Sequence, residues 1–340
     1  KPGLVFASLL TALVLVMAVV GYSWLNQKKQ EGFPGKRETV RIAIPREPLN
    51  ALLIIAVERD FFSQEGLDVV VKEEFSSGTG KRGLEGLLAG ELDMATSADT
   101  AVVFASFKNR DFRIVASHGT SDNDARIVGR KDRGIRAPSD LRGKRIGTPI
   151  GTIMHFFVHT VLVNNGLTEK DATLVFKNIE ELPTALASGA VDAISIREPY
   201  TDAAQRLLGE NAIVFSLPGL YTKIINVVAS VDCVEGKPWL VKRIIMGLLK
   251  AEEFAKKNPG QAIQIVSDRL VMNKVELSAI WLELNLKVSL DQQLLLSLEE
   301  QARWAIKNRL TDKKQVPNYL NLIHLDSLRE ARPEAVTIIR

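Results

Sequence analysis

Beyond residue 39 the apolar positions fall into two alternating rhythms. Short runs such as Val40-Arg41-Ile42-Ala43-Ile44 read as strands. Longer stretches such as residues 48–62, with apolar residues three and four apart, read as helices. The pattern predicts strands over 40–45, 68–75, 93–99 and 113–119. It predicts further strands in ARIVGRKD, KRIGTPIG, ATLVFKN and AVDAISIREPY. Strands that alternate with helices argue for an α/β chain with parallel sheets. Near Asn226 the texture changes. VVASVDCV supplies one more strand, and helices then dominate, with amphipathic stretches over 237–258 and 291–308.

The first residues follow neither rhythm. Residues 4–25, LVFASLLTALVLVMAVVGYSWL, carry no charge. At about 1.5 Å per residue they are long enough to cross a hydrocarbon core of about 30 Å. Residues 1–27 therefore read as a signal sequence or an uncleaved membrane anchor, and the polar stretch 28–39 as a linker. No cysteine stands beside the apolar run to take a lipid.

Composition narrows the classes. With 46% hydrophobic and 25% charged residues, the chain is ordinary globular protein, and 340 residues suit about two domains. The net charge of +4 comes from 44 basic and 40 acidic residues spread along the chain, which argues against a nucleic-acid partner. The single cysteine, Cys233, excludes an internal disulfide framework and a cysteine-rich zinc module.

Open α/β sheets bind ligands at the carboxyl ends of their strands, where loops meet helix N-termini. The loops predicted there are small and polar. Candidate binding residues in them are Asn50, Ser77, Gly78, Asp99, Thr100, His118, Gly151, Thr152, Ile153, His155, Arg197, Glu198 and Tyr200. The same Ser, Thr and Gly residues also suit plain turns and helix caps.

The stretch GTIMHFFVHT (151–160) places His155 and His159 one helical turn apart, opposite a core stripe of Ile153, Phe156, Phe157, Thr160 and Val161. A zinc-protease helix would read H-E-x-x-H, and Phe156 stands at the glutamate position. No metal or cofactor is expected. Thr152 is expected to cap a helix whose first turn offers free N–H groups to an anion, with His155 beside it and His159 at the surface or one layer behind the ligand contacts. Thr96-Ser97-Ala98 is no nucleophile elbow. Gly78-Thr79-Gly80-Lys81-Arg82-Gly83 has the spacing of a dinucleotide loop, with Asp99 near the place of its acidic partner, so that reading stays open.

RIAIPREPLNALLIIAVERDFFSQEGLDV, GLEGLLAGELDMATSAD, DLRGKRIGTPIGTIMHFF and AVDAISIREPY, in this order, resemble the substrate-binding proteins of the nitrate/sulfonate/taurine ABC importers. That group includes the thiamine-pyrimidine-precursor binders (NMT1/THI5-like). The resemblance spans residues 40–340. It implies a type II periplasmic-binding-protein fold, with lobe 1 from 40–122 plus 226–340 and lobe 2 from 123–225. The chain would cross between lobes near 121–124 and 224–227. It implies an extracytoplasmic, monomeric receptor, periplasmic or held at the outer face of the membrane through residues 4–25. Such a receptor delivers a small, anionic solute to an ABC permease and its ATPase. By position, Asn50, Ser77, Asp99, Thr152 and Glu198-Pro199-Tyr200 carry over as pocket residues. Arg197 departs from the tryptophan that many relatives place before Glu-Pro. It either pairs with an acidic solute or bonds Glu198 and points to solvent. Alternatives are an enzyme on the same fold, which would want a cysteine/histidine cluster, and a sensor ectodomain.

Overall fold

The computed structural model describes residues 35–76, 80–108 and 110–339. The apolar run 4–25, Ser77 and Gly78 lie outside the described residues. Among the described residues no helix is long and apolar enough to cross a membrane.

Among the described residues ten strands follow one another: β1 (Glu38–Ala43), β2 (Leu67–Val71), β3 (Met94–Ala98), β4 (Phe112–Ser121), β5 (Arg126–Arg130), β6 (Arg145–Thr148), β7 (Thr173–Phe176), β8 (Ala193–Ile196), β9 (Ala212–Phe215) and β10 (Lys223–Ser230). They form two sheets of five, ordered β2-β1-β3-β10-β4 and β7-β6-β8-β5-β9. Each sheet lies among helices, so the molecule has two lobes. Of the described residues, the first lobe holds those before 122 and those after 222. The second holds the segment between.

Each sheet is parallel except around one strand. β10 runs antiparallel to β3 and β4, and β5 runs antiparallel to β8 and β9. The sheets are parallel-rich rather than wholly parallel, for a topological reason. β5 and β10 each enter a lobe from the other, across the carboxyl-end gap, and so run against their neighbours. The first crossing is 122–125. The second is 216–222; residues 224–227, expected to cross, lie inside β10. A basic residue at the head of an apolar run hid the strand's true start at Lys223. β10 also stops at Ser230, whose hydroxyl accepts from the Cys233 N–H, so Val231–Gly236 is a helix rather than strand.

The helical reading of 48–62 is interrupted. The helix Ala51–Glu58 ends, Asp60 takes a left-handed conformation, and Phe61–Gln64 starts anew. The core is continuous through β1, β3, β4 and β10 and the helices Ala51–Glu58 and Pro238–Lys257, and it extends into the second lobe. Close approach shapes the cleft side. A Cβ on Gly119 in β4 would stand 2.4 Å from the Leu49 carbonyl oxygen, so only glycine lets the 48–50 turn lie on β4.

Candidate functional site

The carboxyl ends of β1, β3 and β4 face those of β6 and β8 across the two crossings. Polar side chains there are buried. Asn50, Thr96, Asp99, Thr100, His118, Thr148, Ser195, Thr201 and Lys223 are each at most 2% exposed.

Lys223 heads β10. Its ammonium lies 2.6 Å from Glu47 Oε2 and 3.4 Å from Asp124 Oδ2 in the first crossing. The same Glu47 oxygen is 3.7 Å from Nη1 of Arg197, which follows β8 in the second lobe. Glu47 is thereby shared between the lobes. Two carboxylates answer two cations, as burial of charge demands. Arg197 neither bonds Glu198 nor points to solvent, as one reading held. Glu198 pairs instead with Arg126 at 3.0 Å and stays half-exposed at the rim. Tyr200 is also at the rim, its hydroxyl 3.4 Å from Glu180. Burial raises the Glu198 carboxyl above its ordinary range. The Glu198-Pro199 peptide is cis.

Several buried polar atoms have no hydrogen-bond partner within the described chain. They are Glu47 Oε1, Asn50 Oδ1, Thr96 Oγ1, both ring nitrogens of His118, Arg126 Nε, His155 Nε2, Thr148 Oγ1, Ser195 Oγ and Thr201 Oγ1. An unanswered buried donor or acceptor costs about 1–3 kcal/mol. Nearly all lie near strand carboxyl ends or in the loops that follow them. His118 is the extra residue of a bulge, because β10 pairs Ile225 with Gly119 and then Asn226 with Ser117. Burial drops its pKa to about 3, so the ring is neutral. Asn50 holds its side chain in place by donating Nδ2 to the Pro45 carbonyl at 2.9 Å.

Asp99 does different work from the binding role expected of it. Its Oδ1 accepts from the Tyr221 hydroxyl at 2.9 Å and the Thr100 N–H at 3.0 Å. Its Oδ2 accepts from Ser297 at 2.9 Å and Gln301 at 2.6 Å. Thr100 donates its hydroxyl to Gln301 Oε1. Both residues are thus committed to the helix Gln292–Lys307 and to the second crossing. Burial raises the Asp99 carboxyl above its ordinary value despite these bonds.

The turn after β6 also differs from expectation. Thr152 is the N-cap of the helix Ile153–Asn164 by position, but its hydroxyl donates to the Pro149 carbonyl at 2.7 Å and makes no side-chain cap. His155 Nδ1 instead accepts the Gly151 N–H at 3.2 Å. Ile153 is buried core. His155 is fully buried, and His159 is half-buried, its Nδ1 3.0 Å from Glu169 Oε1. Trp304 of the first lobe packs against both rings, at 4.9 Å and 6.2 Å between centroids. A helical wheel drawn for one lobe cannot register a face covered by the other. Among the described residues no group of three or more His, Cys, Asp or Glu is placed to hold a metal. Cys233 lies past the far end of β10, away from the carboxyl-end loops. Burial pushes its thiol up to about 11.

Sequence reasoning passed over Glu47, Thr96, Thr148, Ser195 and Lys223. Lys223 left a signal, a charge leading the apolar run IINVVAS. Thr148 and Ser195 left only hydroxyls near strand ends.

The family model described as "NMT1/THI5 like" matches residues 48–262. A Bacillus subtilis protein named for binding aliphatic sulfonates is 25% identical over 260 residues, 75% of this chain and 77% of the relative. A Brucella abortus protein named as a binding protein is 26% identical over 239 residues, 67% of this chain and 70% of the relative. Among solved structures, the alkanesulfonate-binding protein SsuA from Xanthomonas axonopodis pv. citri, bound to MOPS, aligns with a TM-score of 0.69 at 20% identity. That match covers 86% of this chain and 99% of the other. The periplasmic aliphatic sulphonate binding protein SsuA from Escherichia coli aligns with a TM-score of 0.71 at 18% identity, covering 85% and 98%. The fold is that of the periplasmic binding proteins, and with the family model spanning most of the body the chain belongs to the NMT1/THI5-like family.

Proposed function

We propose that this protein is an extracytoplasmic solute-binding receptor that takes a small acidic solute of the sulfonate class between its lobes and delivers it to an ABC permease with its ATPase. The observation that carries the reading is the set of buried, unanswered polar side chains contributed by both lobes. Thr96, His118 and Asn50 come from the first lobe, Thr148, Ser195 and Thr201 from the second. A polar solute between the sheets supplies what these groups lack. The names of the Bacillus and Escherichia relatives support the sulfonate class.

The parts have distinct tasks. Crossings 122–125 and 216–222 serve as the hinge, tied together by the Ser216–Asn123 hydrogen bond. The first turn of the helix Ile153–Asn164 presents N–H groups and the positive dipole end to the acid group. Arg197 and Lys223 carry the positive charge nearest the gap, and Glu47 holds both while the lobes are together. Gly151 and Thr152 shape the lobe 2 turn, and His155 holds it. Asp99 and Thr100 brace the pocket from behind. Glu198 and Tyr200 guard the rim. Residues 4–25 serve either as a signal sequence that is removed or as an anchor at the outer face of the membrane, and the receptor acts as a monomer.

A thermal-shift screen tests the reading. Ethanesulfonate, longer alkanesulfonates, taurine, nitrate and bicarbonate are each added at millimolar concentration. A ligand at 100 times its Kd stabilises the native state by about 2.7 kcal/mol, so at least one sulfonate should raise the melting temperature by several degrees. A flat response to the whole set would contradict the reading.

A further inference from the structure

We propose that Trp304 and Glu169 form a clasp between the lobes that positions the Gly151–Thr152 turn through His155. Trp304 stands on the helix Gln292–Lys307, which packs on the first lobe's helix Asp99–Ser106. Glu169 follows the second lobe's helix Ile153–Asn164. The indole Nε1 donates to Glu169 Oε1 at 2.8 Å. The same oxygen is 3.0 Å from His159 Nδ1, and Glu169 Oε2 is 3.6 Å from His155 Nε2.

The geometry fixes the His155 tautomer. Its Nδ1 accepts the Gly151 N–H, so the proton sits on Nε2 and points at the carboxylate. The ring is further held edge-on between Trp304 at 4.9 Å and Phe176 at 5.0 Å. Phe156 and Phe104 pack on the other sides of the indole, at 5.1 Å and 6.2 Å. Burial alone would raise the Glu169 carboxyl. The two histidines and the indole hold it down at about 2, so it is ionised wherever the fold stands.

One helix therefore reaches the loops of both lobes. Ser297 and Gln301 grip Asp99, and Trp304, a turn further on, grips Glu169. Parting the lobes about the crossings separates Trp304 from Glu169. His155 then loses its indole wall, and the Gly151 N–H loses a fixed acceptor. The second lobe's turn is complete only while the first lobe is docked on it.

The test uses the full chain with Cys233→Ser and spin labels at Lys81→Cys and Glu180→Cys. These are exposed positions following the carboxyl ends of β2 and β7. Trp304→Phe keeps a ring and drops the donor; Glu169→Gln keeps the shape and drops the charge. Each variant should add a longer interlobe distance and speed amide exchange at Gly151 about tenfold. That is the scale of one hydrogen bond to a charged group. Unchanged distances and Gly151 exchange in both variants would overturn the clasp, whatever happens to the melting temperature. The solute readout alone rests on the receptor reading: ethanesulfonate affinity should fall about tenfold with the clasp broken. Longer distances without any ethanesulfonate binding by the unaltered chain would support the clasp and sink the receptor reading.

Discussion

His118 shows how a single side chain records the price of a polar cleft. It is fully buried in β4, both ring nitrogens lack a partner in the described chain, and its pKa is pushed down to about 3. A free histidine titrates near 6.5. The folded state thus binds a proton less readily than the unfolded chain. The stability this confers is complete above pH 6.5 and is lost as pH falls toward 3, at up to about 1.4 kcal/mol per pH unit. Glu169, depressed from the ordinary 4.5 to about 2, adds its own loss only below pH 4.5. Between pH 6.5 and 4.5 His118 steepens the loss, while the raised carboxyls of Asp99 and Glu198, which take up protons more readily in the folded state, oppose it. Calorimetric melts of His118→Phe across that window should show a flatter pH dependence than the unaltered chain; an equal slope would place the proton uptake elsewhere. Some of these residues were visible beforehand. Asn50, His118 and His155 were singled out because small polar loops at strand ends are where α/β sheets hold ligands. Asp99 was singled out too, but its oxygens are spent on Tyr221, Ser297 and Gln301. Those partners lie more than a hundred residues away, where no local pattern could announce them.

At the scale of elements, strands and long helices were readable because their apolar periods are strong. The amphipathic stretch 237–258 became the helix Pro238–Lys257, and 291–308 became Gln292–Lys307. β9 was not anticipated, since Ala212–Phe215 is a short run that pairs only with β5. The antiparallel direction of β5 and β10 was also hidden, because direction is set by which lobe the chain has just left. The contact between the 48–50 turn and β4 is a sharper test at this scale. Gly119→Ala drives a Cβ to 2.4 Å from the Leu49 carbonyl oxygen. Overpacking of this kind costs about 1–3 kcal/mol. Denaturant melts should show that loss, together with weaker solute binding, because the displaced turn carries Glu47 and Asn50. A neutral Gly119→Ala would mean that the turn yields freely.

The whole molecule is two lobes joined by two crossings, with polar groups from each lobe meeting where the strands end. Lys223 and Glu47 of the first lobe meet Asp124 of the crossing and Arg197 of the second lobe. On the other flank the helix Gln292–Lys307 reaches from Asp99 to Glu169. The two-lobed plan was legible only through the family resemblance carried by the four segments quoted above; the strand and helix pattern by itself gave no more than an α/β chain. The interlobe contacts were not legible, since Trp304 and Glu169 are ordinary residues until the lobes come together. Calorimetric titration with ethanesulfonate tests the central claim most directly, on the unaltered chain and on a Thr148→Val/Ser195→Ala variant. Those two hydroxyls are buried in the second lobe without partners, and neutral hydrogen bonds of this kind contribute about 1 kcal/mol each. The account predicts one site per chain and at least about tenfold weaker binding in the variant. No heat of binding in the unaltered chain, or equal affinity in both proteins, would contradict it.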